Sequence, residues 1–486
     1  MRIATRTASC AIAPAAVIAL FILCVPFAAS RRGDNPAASR PPMGWNSWDS
    51  YGTAVREDQV KANADVMAQK LLRFGWQYVV VDIQWYEPNA GGHVYRAGAP
   101  LTMDAYGRLL PAPNRFPSAR GGAGFKNLAD YVHREGLKFG IHIMRGIPRQ
   151  AVEENLPIFD TSYHAADIAD RTNVCEWNQD MYGVDMAKPG AQAYYDSLVA
   201  LYASWGVDFI KADDMSRPYA LREPEVHALS GAIRKSGASI VLSLSPGPAP
   251  VSEAADLRAN AQMWRISDDF WDDWKLLKKQ FDYTRDWGPY IGKDDTWPDA
   301  DMLPLGKLRI TDKNGAPQQT RFTPDEQQTL MTLWSIFRSP LIFGGDLPSE
   351  DAATLALLTN REVLDVNQNS SDNRQVLERG NVRVWLADAQ DLKEKYTAVF
   401  NLGDAIETLR LDWSELGIQT TNPAVRDLWQ HKNLGRQQHL DIALRPHASA
   451  LYRLSPIAVN SKSTTRAASI CDSGGSGRWW NYRAPA

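Results

Sequence analysis

The chain has 486 residues, with 53 Lys and Arg against 56 Asp and Glu, a formal net charge of −3 and 44% hydrophobic residues. That is a globular composition, and its near-neutral balance excludes a nucleic-acid groove or an anionic membrane surface as the main partner. Its 17 Trp read as more than a core requires, so a ligand with apolar ring faces is expected.

In chain order, Arg2 and Arg6 precede an apolar run over residues 10–27 that ends in Ala28, Ala29 and Ser30. This is the pattern of a secretory signal peptide, so residues 1–30 are expected to be removed on export to the periplasm or the medium, leaving no membrane attachment. Cys10 and Cys24 leave with it, and Cys175 and Cys471 are too few for a disulfide framework. Short β-rich apolar runs follow at residues 43–48, 78–85, 139–144, 207–213, 240–245, 263–269 and 341–346. Between them, residues 57–74, 125–135, 190–205, 223–235 and 323–337 repeat apolar side chains at three and four. This alternation predicts an α/β fold, a catalytic (β/α)8 TIM barrel over residues 40–370. No Gly-rich phosphate fingerprint follows the first strand, which disfavours an open doubly wound sheet. Residues 371–457 change to short alternating runs broken by polar turns, predicting a small C-terminal antiparallel β-sandwich domain. Residues 458–486, rich in Ser, Gly, Arg and Ala, read as a disordered tail.

In a parallel barrel the chemistry sits at the carboxyl ends of the strands, so charges that close buried runs are the candidates. The fourth run ends Lys211-Ala212-Asp213-Asp214. A period of two sends Lys211 and Asp213 to one side and Asp214 to the other, and the lysine should keep the aspartate ionised. A structural ion pair is the alternative reading. The sixth run ends Arg265-Ile266-Ser267-Asp268-Asp269. A carboxyl there that comes near Asp213 is expected to rise in pKa and become a proton donor, although acids also gather at helix starts. Two carboxyls in different protonation states are the apparatus of glycoside hydrolysis. Residue order alone does not choose between Asp268 and Asp269.

Seven motifs carry a resemblance. They are Pro42-Met43-Gly44-Trp45-Asn46-Ser47-Trp48; Val81-Asp82-Ile83-Gln84-Trp85; Lys138-Phe139-Gly140-Ile141; Trp205-Gly206-Val207-Asp208 leading to Lys211-Ala212-Asp213; Trp264-Arg265 with Asp269 four residues on; Trp297-Pro298-Asp299-Ala300-Asp301-Met302-Leu303; and Ser339-Pro340-Leu341 ending in Asp346. In this order they resemble glycoside hydrolase family 27, the retaining α-galactosidases and their relatives. The resemblance implies Asp213 as nucleophile and Asp269 as general acid/base. It implies substrate contacts from Trp48, Asp82, Ile83, Trp85, Lys211, Ser245 and Arg265, and a retaining exo-glycosidase that needs neither metal nor organic cofactor. His142, an unusual polar residue closing the third run, is read as a further substrate contact, with a structural role equally open; Arg145 beside it is read in the same way. The expected partner is a small-molecule or oligosaccharide substrate ending in galactose or arabinopyranose.

Two departures bear on the sugar. Ile83 replaces the family's second aspartate, near the C4 and C6 end of the sugar, and a hydroxymethyl buried against isoleucine leaves a polar group unpaired. Terminal α-D-galactosides are the substrates the family leads one to expect, and Ile83 favours β-L-arabinopyranosides, which have the same ring stereochemistry without C6. Ser245 stands where α-galactosidases carry a glutamate, which leaves an α-N-acetylgalactosaminidase as a third reading. From other classes, an inactive carbohydrate-binding relative has no use for two such carboxyls. A lyase using Lys211 as a Schiff-base amine would need its pKa lowered, the opposite of what Asp213 does.

Overall fold

The computed structural model describes residues 38–311, 318–390 and 393–456. The signal peptide read at residues 1–30 and the tail read at residues 458–486 lie outside the described residues. Among those described, no helix is long and apolar enough to cross a membrane, and Cys175 is a buried free thiol.

Eight strands, β1 (Met43–Asn46), β2 (Tyr78–Val81), β3 (Lys138–Met144), β4 (Phe209–Asp213), β5 (Val241–Leu244), β6 (Met263–Arg265), β7 (Trp297–Asp299) and β8 (Leu341–Phe343), form one parallel sheet in the order 7-6-5-4-3-2-1-8. The ring closes just past β7, where Leu303 N donates to Ile342 O at 2.8 Å and Gly344 N donates to Leu303 O at 3.1 Å. Strands covered on both faces read as continuous apolar runs, and the Tyr-Val-Val-Val of β2 is buried throughout. The connecting helices are α1 (Glu57–Val66), α2 (Lys126–Arg134), α3 (Ala191–Trp205), α4 (Tyr219–Ser236), α5 (Ala254–Asn260), α6 (Trp274–Trp287) and α7 (Pro324–Phe337), with α8 (Arg361–Asn369) after β8. Their starts are written in the sequence. Asp273 caps α6 by accepting from Lys275 N, and Thr323, Pro324 and Glu326 form a capping box with proline at the first turn of α7. The sixth predicted run is strand only as far as Arg265, so Asp268 and Asp269 stand in the loop beyond it.

The C-terminal domain carries β9 (Ser371–Arg379), β10 (Val382–Asp388), β11 (Lys395–Asn401), β12 (Glu407–Asp412), β13 (Ala424–Asp427), β14 (Lys432–Arg436), β15 (His439–Leu444) and β16 (Ser449–Ser455). A six-stranded antiparallel sheet, 9-10-11-16-13-14, faces the pair 12-15 across a core that includes Val384, Leu386, Val399, Leu411 and Trp413. The domain holds α7. Gln328 Nε2 donates to Ser449 O at 2.7 Å, Thr329 Oγ1 to His447 O at 2.6 Å and Trp429 Nε1 to Thr332 Oγ1 at 2.9 Å.

Eight of the tryptophans belong to the core. Trp45, Trp76, Trp85, Trp264, Trp287, Trp297, Trp334 and Trp385 are fully buried, so their faces are taken by core packing and not by a ligand.

Candidate active site

At the carboxyl ends of the barrel strands a cavity of about 310 Å³ opens, large enough for one sugar ring. Its lining brings together Trp48, Asp82, Ile83, Lys211, Asp213, Arg265 and Asp269, residues from the ends of β1, β2, β4 and β6.

Asp213 ends β4 and is held on both carboxylate oxygens. Ser245 Oγ donates to Oδ1 at 2.8 Å, Asp214 N to Oδ1 at 3.1 Å, and His142 Nε2 donates to Oδ2 at 3.1 Å. Because a carboxylate oxygen only accepts, this contact places a hydrogen on Nε2, while Nδ1 is buried without a partner among the described residues. Burial on its own would raise the Asp213 pKa. The His142 hydrogen bond and charge, then Lys211 and the Ser245 hydroxyl, outweigh it and hold the carboxyl far below the usual range. Asp213 is therefore an ionised, immobilised carboxylate at the cavity wall.

Lys211 pairs with Asp82 and not with Asp213: its Nζ lies 2.9 Å from Asp82 Oδ2, which also accepts from Asn46 Nδ2 at 2.7 Å. Burial works against both charges. Lys211 overcomes it for Asp82, whose pKa falls, and Asp82 followed by Asp213 does the same for the lysine, whose pKa rises. Ile83, only 2% exposed, comes next to Asp82 and presents an apolar surface to the cavity.

On the opposite wall Arg265 Nη2 lies 2.7 Å from Asp301 Oδ2 and 3.3 Å from Asp269 Oδ1. The Asp269 side chain is 60% exposed. Asp301 also accepts from Phe270 N at 2.7 Å, at the residue after Asp269, and from Met302 N at 2.7 Å. Its backbone is held at φ +87°, a left-handed conformation that these bonds maintain. Burial pushes its pKa up to about 7, Arg265 opposes that, and Asp269 and Asp299 add to it.

Four predicted contacts, His142, Ser245, Trp85 and Arg145, do not line the cavity, and this corrects their assignment. His142 is fully buried behind Asp213, and Ser245 turns its hydroxyl to the same carboxylate. Trp85 is core, its Nε1 donating to His142 O at 2.7 Å and its ring packed on Phe125 and Trp205. Arg145 is likewise structural, paired with Asp214 and Glu225. In their place the structure brings Asp49, Tyr95, Trp177, Trp271, Asp301 and Met302 to the cavity. Asp49 and Asp301 both lie inside or beside quoted motifs, and each is an acid within three residues of the end of a buried strand, which is the signal that could have found them.

The α-galactosidase A family model matches residues 40–188 and 182–369, and that of the α-galactosidase C-terminal β-sandwich domain matches residues 379–454. The chain belongs to the α-galactosidase family, glycoside hydrolase family 27. This family member is thus a glycoside hydrolase. It is 29% identical to α-galactosidase 2 of Arabidopsis thaliana over 431 residues, 87% of this chain and 91% of the relative. Among solved structures it is similar to a β-L-arabinopyranosidase of the same family from Geobacillus stearothermophilus, at 53% identity and a TM-score of 0.85 over 87% of this chain and 98% of the other. It is also similar to a putative α-N-acetylgalactosaminidase from Bacillus halodurans, at 47% identity and a TM-score of 0.78 over 87% and 100%.

Proposed function

We propose that the protein is a retaining exo-glycosidase that releases terminal β-L-arabinopyranose, with terminal α-D-galactosides as slower substrates. The observation that carries the choice of sugar is Ile83 at the cavity wall beside Asp82. A pentopyranose leaves nothing polar against that isoleucine, whereas the hydroxymethyl of galactose loses a hydrogen-bonding partner there, at a cost of about 1–3 kcal/mol. The likeness to the Geobacillus enzyme, a variant of which is known in complex with arabinose, supports the same choice.

Asp213 attacks the anomeric carbon while Asp269 gives its proton to the glycosidic oxygen, and the bond to the aglycone breaks. The sugar is then an ester of Asp213. Asp269, now ionised, takes a proton from water, the water oxygen attacks the anomeric carbon, and Asp213 leaves with the configuration retained. Held by Ser245 and His142, Asp213 keeps its attacking oxygen fixed. Asp269, exposed on its loop, can be reached by the water that attacks the ester and regains its proton from that water. Asp82 and Lys211 form a preorganised charged pair for the sugar hydroxyls.

Aryl β-L-arabinopyranoside, α-D-galactopyranoside and α-N-acetylgalactosaminide compared on one preparation test the reading. The arabinoside should give the highest kcat/KM, and preference for either of the other two would overturn it.

A further inference from the structure

Asp49 occupies the turn after β1, next to Trp48. It is only 2% exposed, yet it lines the cavity. Its Oδ2 is buried with no hydrogen-bond partner among the described residues. The carboxyl is wedged against Gly344, the residue after β8. A Cβ at that position would come within 1.9 Å of Asp49 Oδ2, so the glycine leaves room for the acid. Burial, then Asp301, and more weakly Asp269 and Asp82, push its pKa well above the usual carboxylate range, with Lys211 opposing. That shift favours the neutral form, which has an O–H to donate, and no acceptor for it lies among the described residues. A buried polar group left unpaired costs stability, and it persists where something outside the chain completes it.

We propose that Asp49 binds the sugar directly, its carboxyl O–H donating a hydrogen bond to the C4 hydroxyl of the pyranose. The proposal rests on the functional reading above for the placement of the anomeric carbon over Asp213. The strand order then fixes the rest. Asp49 and Gly344 lie where β1 meets β8, on the side of the eight-stranded ring facing β4, which carries Asp213. In a pyranose the position across the ring from C1 is C4. Arabinopyranose and galactose share their configuration at that carbon, so the contact serves both.

The test uses the full chain with Asp49→Leu, which keeps the shape and removes the donor, and Asp49→Asn, which keeps a donor. The substrates are the better of the aryl arabinopyranoside and galactopyranoside and its 4-deoxy analogue. Asp49→Leu should lower kcat/KM on the parent sugar by about 10- to 100-fold while its melting temperature stays level or rises, because an orphaned buried acid has been removed. Asp49→Asn should stay within about tenfold of wild type, and on the 4-deoxy substrate Asp49→Leu and wild type should agree within about twofold. An equal loss on parent and 4-deoxy sugars, or no loss in Asp49→Leu, would overturn the contact. Should the leucine variant not fold, Asp49→Ser, whose hydroxyl stops short of the cavity, takes its place in the same comparison. Wild type that cleaves neither parent sinks the functional reading instead. Calorimetric binding of the free sugar and its 4-deoxy analogue to the same variants then decides the contact on its own.

Discussion

The two carboxyls assigned to the reaction live in opposite surroundings. Asp213 closes a buried strand and is gripped on both oxygens by groups from β3, β5 and its own chain. Asp269 stands on a loop, 60% exposed, with Arg265 3.3 Å away. The difference matches two different tasks. A nucleophile must hold its charge and its position, whereas an acid that becomes a base must trade protons with water.

Breaking the comparison at its stronger end should have the largest effect. Asp213→Ala is expected to lower kcat at least about 10⁴-fold on every substrate, measured at saturating aryl glycoside. At the looser end, Asp269→Ala should cost about 10²- to 10⁴-fold, least for substrates with good leaving groups. Azide should restore part of that rate and yield a glycosyl azide, and rescue of neither step would contradict the assignment.

Loosening the grip without removing the acid sharpens the contrast. Ser245→Ala takes away one of the influences that lower the Asp213 pKa. The acid limb of its kcat/KM profile should therefore move to higher pH, with a loss of about tenfold at neutral pH. The sign for stability follows. A folded-state pKa held below the unfolded value of about 3.9 gives stabilisation that is present above that pH and lost as the pH falls through the folded value. Ser245→Ala should thus lower the melting temperature at pH 7, by an amount that vanishes only when the pH falls below the folded value. The smallest effect is expected away from both carboxyls, where Ile83→Asp should raise the galactoside-to-arabinoside ratio of kcat/KM by about fivefold. An unchanged ratio would move the discrimination to another part of the wall.

What the sequence made legible followed burial and period. Lys211 and Asp213 stood out because charges that end a buried strand have few reasons to be there, and the period of two correctly sent Asp214 away, to Arg145 and Arg222. The partner of Lys211 was not legible, because Asp82 comes from a strand two places away in the sheet and pairing across strands leaves no mark in local sequence. His142 and Ser245 looked like sugar contacts for the same reason. Each lies near the carboxyl end of a strand next to β4, where a side chain can meet either the ligand or Asp213. Asp49 and Asp301 lie past the strand ends, where alternation no longer gives direction, and the backbone of Asp301 turns left-handed. Tryptophan abundance has two sources, since most of these rings fill the interior while Trp48, Trp177 and Trp271 line the cavity.

Helix α7 touches both ends of the molecule. On one side it receives the hydrogen bonds of the C-terminal domain; on the other, Trp334 Nε1 donates to Asp301 O at 2.8 Å. A sandwich that gives no residue to the cavity lining is thus two handshakes from the acid that seats Phe270, the neighbour of Asp269. Trimming the chain back to its barrel would not give a smaller enzyme of the same kind, since the cut would slacken one bank of the pocket from a distance.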